Sequence, residues 1–445
     1  MRRAARWIAG LATAALAILG AAVLIVDTDV GHRWVADRIA AARTPSGLRF
    51  TIGRIDGSLY GRAVLRDVRV YDLDGLVLAA PVARLDWAPF RWLANRLDIN
   101  SLDVPVATFA KWPRTRPAAK QGPLLPDFDI HIGRLAVDRL IVAKSITGVA
   151  RYGRIRGRAD IRAGRALVDL AAVVEGSDAL RLKIDAEPAR DKFDIAAHAS
   201  GAKNGVLARL TGIGKPLRLA VDGAGSWARW DGRARAIAGG GRVIDLTLGN
   251  RAGDYTLSGD LVPPLVTGGK IQRLTGPRIT VNGGATLARR RLAGNLALRS
   301  AALAVDTSGT IDLGANAFRN VRIRARLLRP AALFPNMTGR DVELRAVLDG
   351  AFATAGFDYR LTATRFAFDD TGFEQARAAG KGRLSKAPIS VPVRFTAARV
   401  TGVGDVAGGI LRNLSVDGVL RVTSRIVTGD DLRVKSDKLT GRINL

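Results

Sequence analysis

The chain offers little material for bond-making chemistry. It has no cysteine, so neither a thiolate nucleophile nor a disulfide framework is available. Its three histidines, His32, His131 and His198, lie far apart in sequence and leave little for a metal site. The nucleophile-elbow pattern Gly-x-Ser-x-Gly does not occur. Gly223-Ala224-Gly225-Ser226 and Gly239-Gly240-Gly241 are glycine-rich, but neither ends in the Gly-Lys-Ser/Thr that a phosphate loop needs ahead of a helix. Asp369-Asp370 and Asp430-Asp431 are adjacent carboxylates. On a strand, neighbours point to opposite faces, so both pairs read as surface turns rather than acid–base couples. His198, in Ile195-Ala196-Ala197-His198-Ala199, has no orienting group nearby in sequence and reads as structural. No catalytic residue, cofactor site or metal site is assigned, and the chain reads as a non-enzyme.

What remains to be positioned is an apolar pattern. From Leu48 on, apolar residues recur every second position, as in Leu48-x-Phe50-x-Ile52, Leu180-x-Leu182-x-Ile184, Leu217-x-Leu219-x-Val221 and Leu344-x-Ala346-x-Leu348. That is the period of strands with one apolar face. Asp-Gly at Asp56-Gly57, Asp74-Gly75 and Asp231-Gly232, and Asn-Gly at Asn204-Gly205 and Asn282-Gly283, supply the positive φ of tight hairpins. Asp222-Gly223, Asp349-Gly350 and Asp417-Gly418 sit inside the alternation and suit bulges. The expected fold is mainly β: a long curved antiparallel sheet. Short helical turns are expected at 89–97, 203–210 and 330–334. If the sheet closes, the aliphatic face is a core. If it stays an open groove, that face is a trough needing a ligand, and aliphatic walls edged by Arg suit acyl chains. Leu182, Leu219, Leu344 and Leu348 are the candidate groove residues. Sequence alone leaves core and trough both open.

Ahead of the strands, residues 7–26 carry no charge. About 20 apolar residues at the ~1.5 Å helical rise cross a ~30 Å hydrocarbon core. The expected membrane anchor includes Trp7, Leu11, Leu16, Ile18, Leu19, Val23, Leu24, Ile25 and Val26. Arg2, Arg3 and Arg6 keep its start in the cytoplasm. A cleaved signal peptide shares this layout, and Gly20-Ala21-Ala22 would serve as its site, but four apolar residues follow before Asp27. The expectation is an uncleaved, single-pass inner-membrane anchor with the bulk of the chain on the far side. Residues 27–47 read as a short helix and turn, capped by Thr28 or Asp29, with Val30, Trp34, Val35 and Ile39 on one side. Strands fill 48–110, a proline-rich loop spans 111–126, and an elongated sheet runs through 127–445, expected to continue past the chain end.

The formal charge of +29, from 69 Lys and Arg against 40 Asp and Glu, raises nucleic-acid binding. The pattern argues otherwise. In Val321-Arg322-Ile323-Arg324-Ala325-Arg326-Leu327 the arginines alternate with apolar residues, the habit of a strand with a charged outer face. Aromatics make up only 6% of residues, leaving few stacking platforms for bases. No nucleic-acid partner is assigned.

One block carries a resemblance. Behind the apolar run come Pro45-Ser46-Gly47-Leu48-Arg49-Phe50-Thr51-Ile52-Gly53-Arg54-Ile55-Asp56-Gly57-Ser58-Leu59, then Leu65-Arg66-Asp67-Val68, then Tyr71-Asp72-Leu73-Asp74-Gly75. The proline-rich loop and Ile132-Gly133-Arg134-Leu135-Ala136-Val137-Asp138-Arg139-Leu140 follow. This order resembles the N-terminal part of the TamB family, the inner-membrane subunits of the translocation and assembly module, within the AsmA-like superfamily. Over about residues 1–160 the resemblance is in motifs; beyond that it is in the β pattern alone. It implies a periplasmic β-taco sheet curled into an open, lipid-lined groove. Membrane phospholipid would move along that groove toward the outer membrane, with a supporting role in outer-membrane protein assembly. The outer-membrane barrel subunit of the module would be a partner only if the family's C-terminal domain, not recognised within residues 1–445, is present. The competing reading is a periplasmic scaffold or chaperone that holds barrel proteins by strand addition, without lipid transfer.

Overall fold

The computed structural model describes residues 27–445 apart from 43, 45–46, 115–128, 163–164, 176–177, 188–191, 227, 289, 386–387, 405–410 and 424–425. The nine anchor residues named above, Trp7 to Val26, lie outside the described residues. Among the described residues no helix is long and apolar enough to cross a membrane. The described chain is mainly β, in open rather than closed sheet, as the period-two pattern predicts. It divides after Ser226 into two compact units.

The first unit begins with helix α1 (Asp29–Ala41). Thr28 caps it: its backbone is extended and its hydroxyl accepts the Gly31 N–H at 3.4 Å. The packed face is not the one expected. Ala36 sits in a cluster with Ile55, Leu59 and Ala63, with Val35 beside it, while Val30 and Trp34 point outward at 70% and 56% exposure. The ~100° step per residue puts positions 30 and 34 nearly opposite His32. His32 takes the buried side because its polar atoms find partners there: Nδ1 meets the Ile55 carbonyl at 3.0 Å and Nε2 meets Asp27 at 3.4 Å.

The strands of this unit are β1 (Arg49–Thr51), β2 (Arg54–Gly57), β3 (Arg62–Asp72), β4 (Gly75–Trp87), β5 (Arg96–Phe109) and β6 (Asp129–Val142). They continue as β7 (Arg151–Arg162), β8 (Arg165–Val174), β9 (Asp178–Glu187), β10 (Lys192–Gly201) and β11 (Leu217–Gly225). Short helices α2 (Lys144–Thr147) and α3 (Val206–Thr211) and the 3-10 turn Pro89–Ala94 join them. β1 and β2 both pair with β3, and consecutive strands then pair through to β11. One pairing corrects the all-antiparallel expectation: β5 and β6 run parallel, Arg96 opposite Asp129 and Phe109 opposite Val142. Parallel neighbours need a crossover of a dozen or more residues. The 19 residues between β5 and β6, 110–128, which include the proline-rich loop, supply that length.

The second unit holds β12 (Arg229–Ala238), β13 (Gly241–Arg251), β14 (Asp254–Leu261), helix α4 (Gly269–Thr275), β15 (Ile279–Ala288), β16 (Arg291–Arg299), β17 (Leu303–Asp312) and β18 (Ala317–Leu327). Then come β19 (Met337–Arg340), β20 (Val342–Ala351), β21 (Gly356–Phe368), β22 (Thr371–Arg383), β23 (Ile389–Ala397) and β24 (Arg399–Thr401). The described part ends with β25 (Leu414–Val422), β26 (Val427–Gly429), β27 (Leu432–Lys435) and β28 (Thr440–Ile443). Among the described residues the strand pairs of this unit are antiparallel. Long strands are flanked by shorter ones end to end, so β21 pairs with both β19 and β20, and β22 with both β23 and β24.

The glycine-rich stretch at 239–241 turns out to be a hairpin. Gly239 and Gly240, at φ 57° and 87°, form the two-residue turn between β12 and β13. Asp369-Asp370 and Asp430-Asp431 are exposed and lie between strands, as expected. Asp231-Gly232 and Asn282-Gly283 do not make turns; they lie inside β12 and β15. The short helices at 206–211 and 330–332 fall where expected, whereas Lys144–Thr147 and Gly269–Thr275 escape sequence reasoning because each is too short to show a period.

Candidate functional site

Register turns the alternation into continuous apolar rows. In the first unit Ala63, Leu85, Leu102, Leu135, Gly157, Leu170, Leu182, Ala197 and Val221 stand opposite one another in turn, one from each strand β3 to β11. Leu219 belongs to the neighbouring row, opposite Ala199, which in turn faces Leu180. The row does not break at Gly157, because the Leu170 side chain leans over it; a Cβ there would come within 2.9 Å of Leu170 Cδ1.

In the second unit the equivalent row is Ala234, Leu246, Gly259, Val281, Leu298, Val305, Ala325, Leu344, Leu361, Ala378, Phe395, Val416, Val434 and Gly441. Leu348 lies on the same face, between Val321 and Phe357. The structure thus brings Leu182 and Leu219 together on one apolar face, and Leu344 and Leu348 together on another.

Their burial is intermediate. Leu182, Leu219, Leu344 and Leu348 are all half-buried, neither sealed nor fully exposed. The sealed apolar residues are mostly Ala and Val, such as Ala80, Ala83, Ala107, Val342 and Ala376. Toward one end of the second unit's face, Phe366, Phe373 and Phe395 add a ring cluster, with Phe366 stacked on Phe373 at 5.0 Å.

The opposite faces are charged. Moving one residue along each strand of the second unit exchanges the apolar row for one containing Arg233, Asp306, Arg324, Arg345, Arg360, Arg394, Asp417 and Arg433. Arg324, Arg345 and Arg360 oppose one another directly across three strands, an arrangement that costs energy unless compensated. Glu343 compensates part of it: it accepts hydrogen bonds from Arg324 Nε at 2.8 Å and Arg345 Nε at 2.5 Å. The Arg324 guanidinium, helped by Arg345, holds the Glu343 carboxyl below the usual range against the opposing pull of burial. These arginines, with Asp306, Arg322 and Asp358, line a cavity of about 790 Å³. Sequence reasoning read the β18 arginines as an outer face but could not place Arg345 and Arg360 beside them.

The histidines each find a carboxylate. His198 Nε2 lies 2.6 Å from Asp222 Oδ1 on the charged face, and His131 Nδ1 lies 3.6 Å from Asp160. Asp222 is 24 residues from His198 in sequence, which is why the pair was invisible there. Among the described residues no hydroxyl hydrogen-bonds the His198 ring. Among the described residues no three His, Cys, Asp or Glu side chains converge on a metal-sized site.

No family model matches the chain, and neither curated proteins nor solved structures yield a match.

Proposed function

We propose that this protein is an inner-membrane-anchored, periplasmic member of the TamB family whose apolar sheet faces form an open β-taco groove that carries phospholipid toward the outer membrane, supporting outer-membrane protein assembly. The observation that carries the reading is the in-register apolar row in each unit, half-buried over most of its length, with Ala63, Val281 and Val434 sealed. An apolar strip of this kind suits acyl chains, which need apolar contact without directional bonding. The charged face of the same sheet keeps the other side in water.

The test is photo-crosslinking in cells with a benzophenone side chain in place of Leu344 or, one residue away on the other face, Arg345. The groove reading expects phospholipid adducts at 344 and few at 345. Equal labelling at both, or adducts to polypeptide alone at 344, overturns it. The scaffold reading draws on one observation: among the described residues β28 pairs on one side only, with β27. It expects polypeptide adducts along β28 and none of lipid.

A further inference from the structure

We propose that the end of the first unit's sheet bearing the turn Pro89–Ala94 sits in the headgroup layer of the bilayer that holds the anchor. This rests on the reading of residues 7–26 as a membrane span and adds a second point of contact to it. The turn displays Phe90, Trp92 and Leu93 at 57%, 56% and 86% exposure, an unusual concentration of large apolar side chains on one short connection.

Its place in the fold says what covers it. Asp27 is the first residue after the apolar run, and its carboxylate is held by Ser58 Oγ at 2.8 Å and the Leu59 N–H at 2.6 Å. The next residue, Tyr60, stacks on Phe90 with ring centroids 5.3 Å apart and planes 10° from parallel. Gly61 O accepts the Trp87 N–H at 3.1 Å, closing the same end of the sheet. The point where a span would leave the hydrocarbon is therefore tied, through residues 58–61, to the base of the exposed turn. A Trp and a Phe at that depth match the aromatic belt of membrane proteins. Arg62 and Arg91, with side chains 89% and 57% exposed, flank the turn; each is paired with a carboxylate, Asp86 at 3.1 Å and Asp98 at 3.2 Å, so the apolar side chains carry the contact.

The chain has no native cysteine, so single reporters are clean. The full chain carrying Leu93→Cys, labelled with an environment-sensitive fluorophore, is reconstituted into phosphatidylethanolamine–phosphatidylglycerol vesicles. A matched sample carries Leu313→Cys, an exposed position in the second unit. Both are floated on a density gradient, and quenching by lipid spin-labelled near the headgroup is measured. The proposal expects flotation of both and severalfold stronger quenching at 93 than at 313. Flotation with equal quenching overturns the contact while leaving the anchor standing. Failure to float overturns the anchor reading and the contact with it.

Discussion

Replacing Leu344 by Arg separates a groove from a core, and the sheet supplies its own control two residues away. Leu344 is half-buried between Ala325 and Leu361. Full burial of a Leu side chain is worth ~1.5–3 kcal/mol, so a half-buried one stands to lose about 1 kcal/mol. The Arg stem can lie along the apolar row and carry its guanidinium to water, which avoids the penalty of a buried charge. Leu344→Arg should therefore cost about 1–2 kcal/mol, a loss of roughly 2–4 °C in Tm per kcal/mol for a unit of this size. Val342, on the same strand and face, is 8% exposed and packed with Ala363 and Ala376. Val342→Arg strands a charge in a sealed place and should cost several kcal/mol, enough to melt the surrounding strands. The assay pairs a melting curve with the phospholipid content of each purified variant. Folded Leu344→Arg protein with its lipid lost, beside a disrupted Val342→Arg, is the expected result. Equal unfolding of the two variants would make the face an ordinary core. A folded Leu344→Arg variant with unchanged lipid would remove the groove from the argument.

Asp72 should make the segment 111–114 pH-sensitive. Its buried carboxylate accepts the Arg114 N–H at 2.7 Å, Lys111 Nζ at 2.6 Å and the Asp74 N–H at 2.8 Å, and the Arg114 N–H and Lys111 together hold its carboxyl well below the usual range. A lowered carboxyl stabilises the fold fully above its unfolded value of about 3.9 and loses that contribution as pH falls toward the folded value, so hydrogen exchange at Arg114 should rise below about pH 4. Asp72→Asn should show the same release at neutral pH; slow exchange in the variant would count against it. At the β12–β13 hairpin, a Cβ on Gly240 meets nothing within 4 Å, yet φ is +87°. Gly240→Ala should therefore cost about 1 kcal/mol from backbone strain alone, read as a shift in denaturant midpoint with unchanged slope.

The strands were legible in the sequence because period two is written residue by residue, as in β20, where the even-numbered residues 342–350 face in and Arg345, Val347 and Asp349 face out. Register was not legible. That Leu344 faces Ala325 and Leu361 depends on hairpin lengths and on bulges, such as the shift between Phe318 and Val321, that no local pattern announces. The parallel pairing of β5 and β6 was hidden for a related reason. A 14-residue strand reads the same in either direction, and only the long connection hints at a crossover. The α1 face was misread because bulky Val30 and Trp34 outweigh Ala36 on any hydrophobicity count, while the close approach of helix to sheet selects the small residue.

The length of the second unit's row constrains how it would work on the proposed reading. Fourteen residues, one per strand, at ~4.8 Å between neighbours give a contour of about 60 Å. A single acyl chain spans half of a ~30 Å hydrocarbon core, about 15 Å. The row is thus several acyl lengths long, with no polar residue to mark one station above another. A binding pocket for one lipid would concentrate polar contacts at a single headgroup position. Wholly apolar chemistry, aliphatic but for Phe395, instead makes neighbouring positions close in energy, which favours sliding over holding. The same uniformity explains why one charge should matter so much: an acyl chain that meets Arg at position 344 has no parallel route within the row, while the protein itself loses only one half-buried side chain.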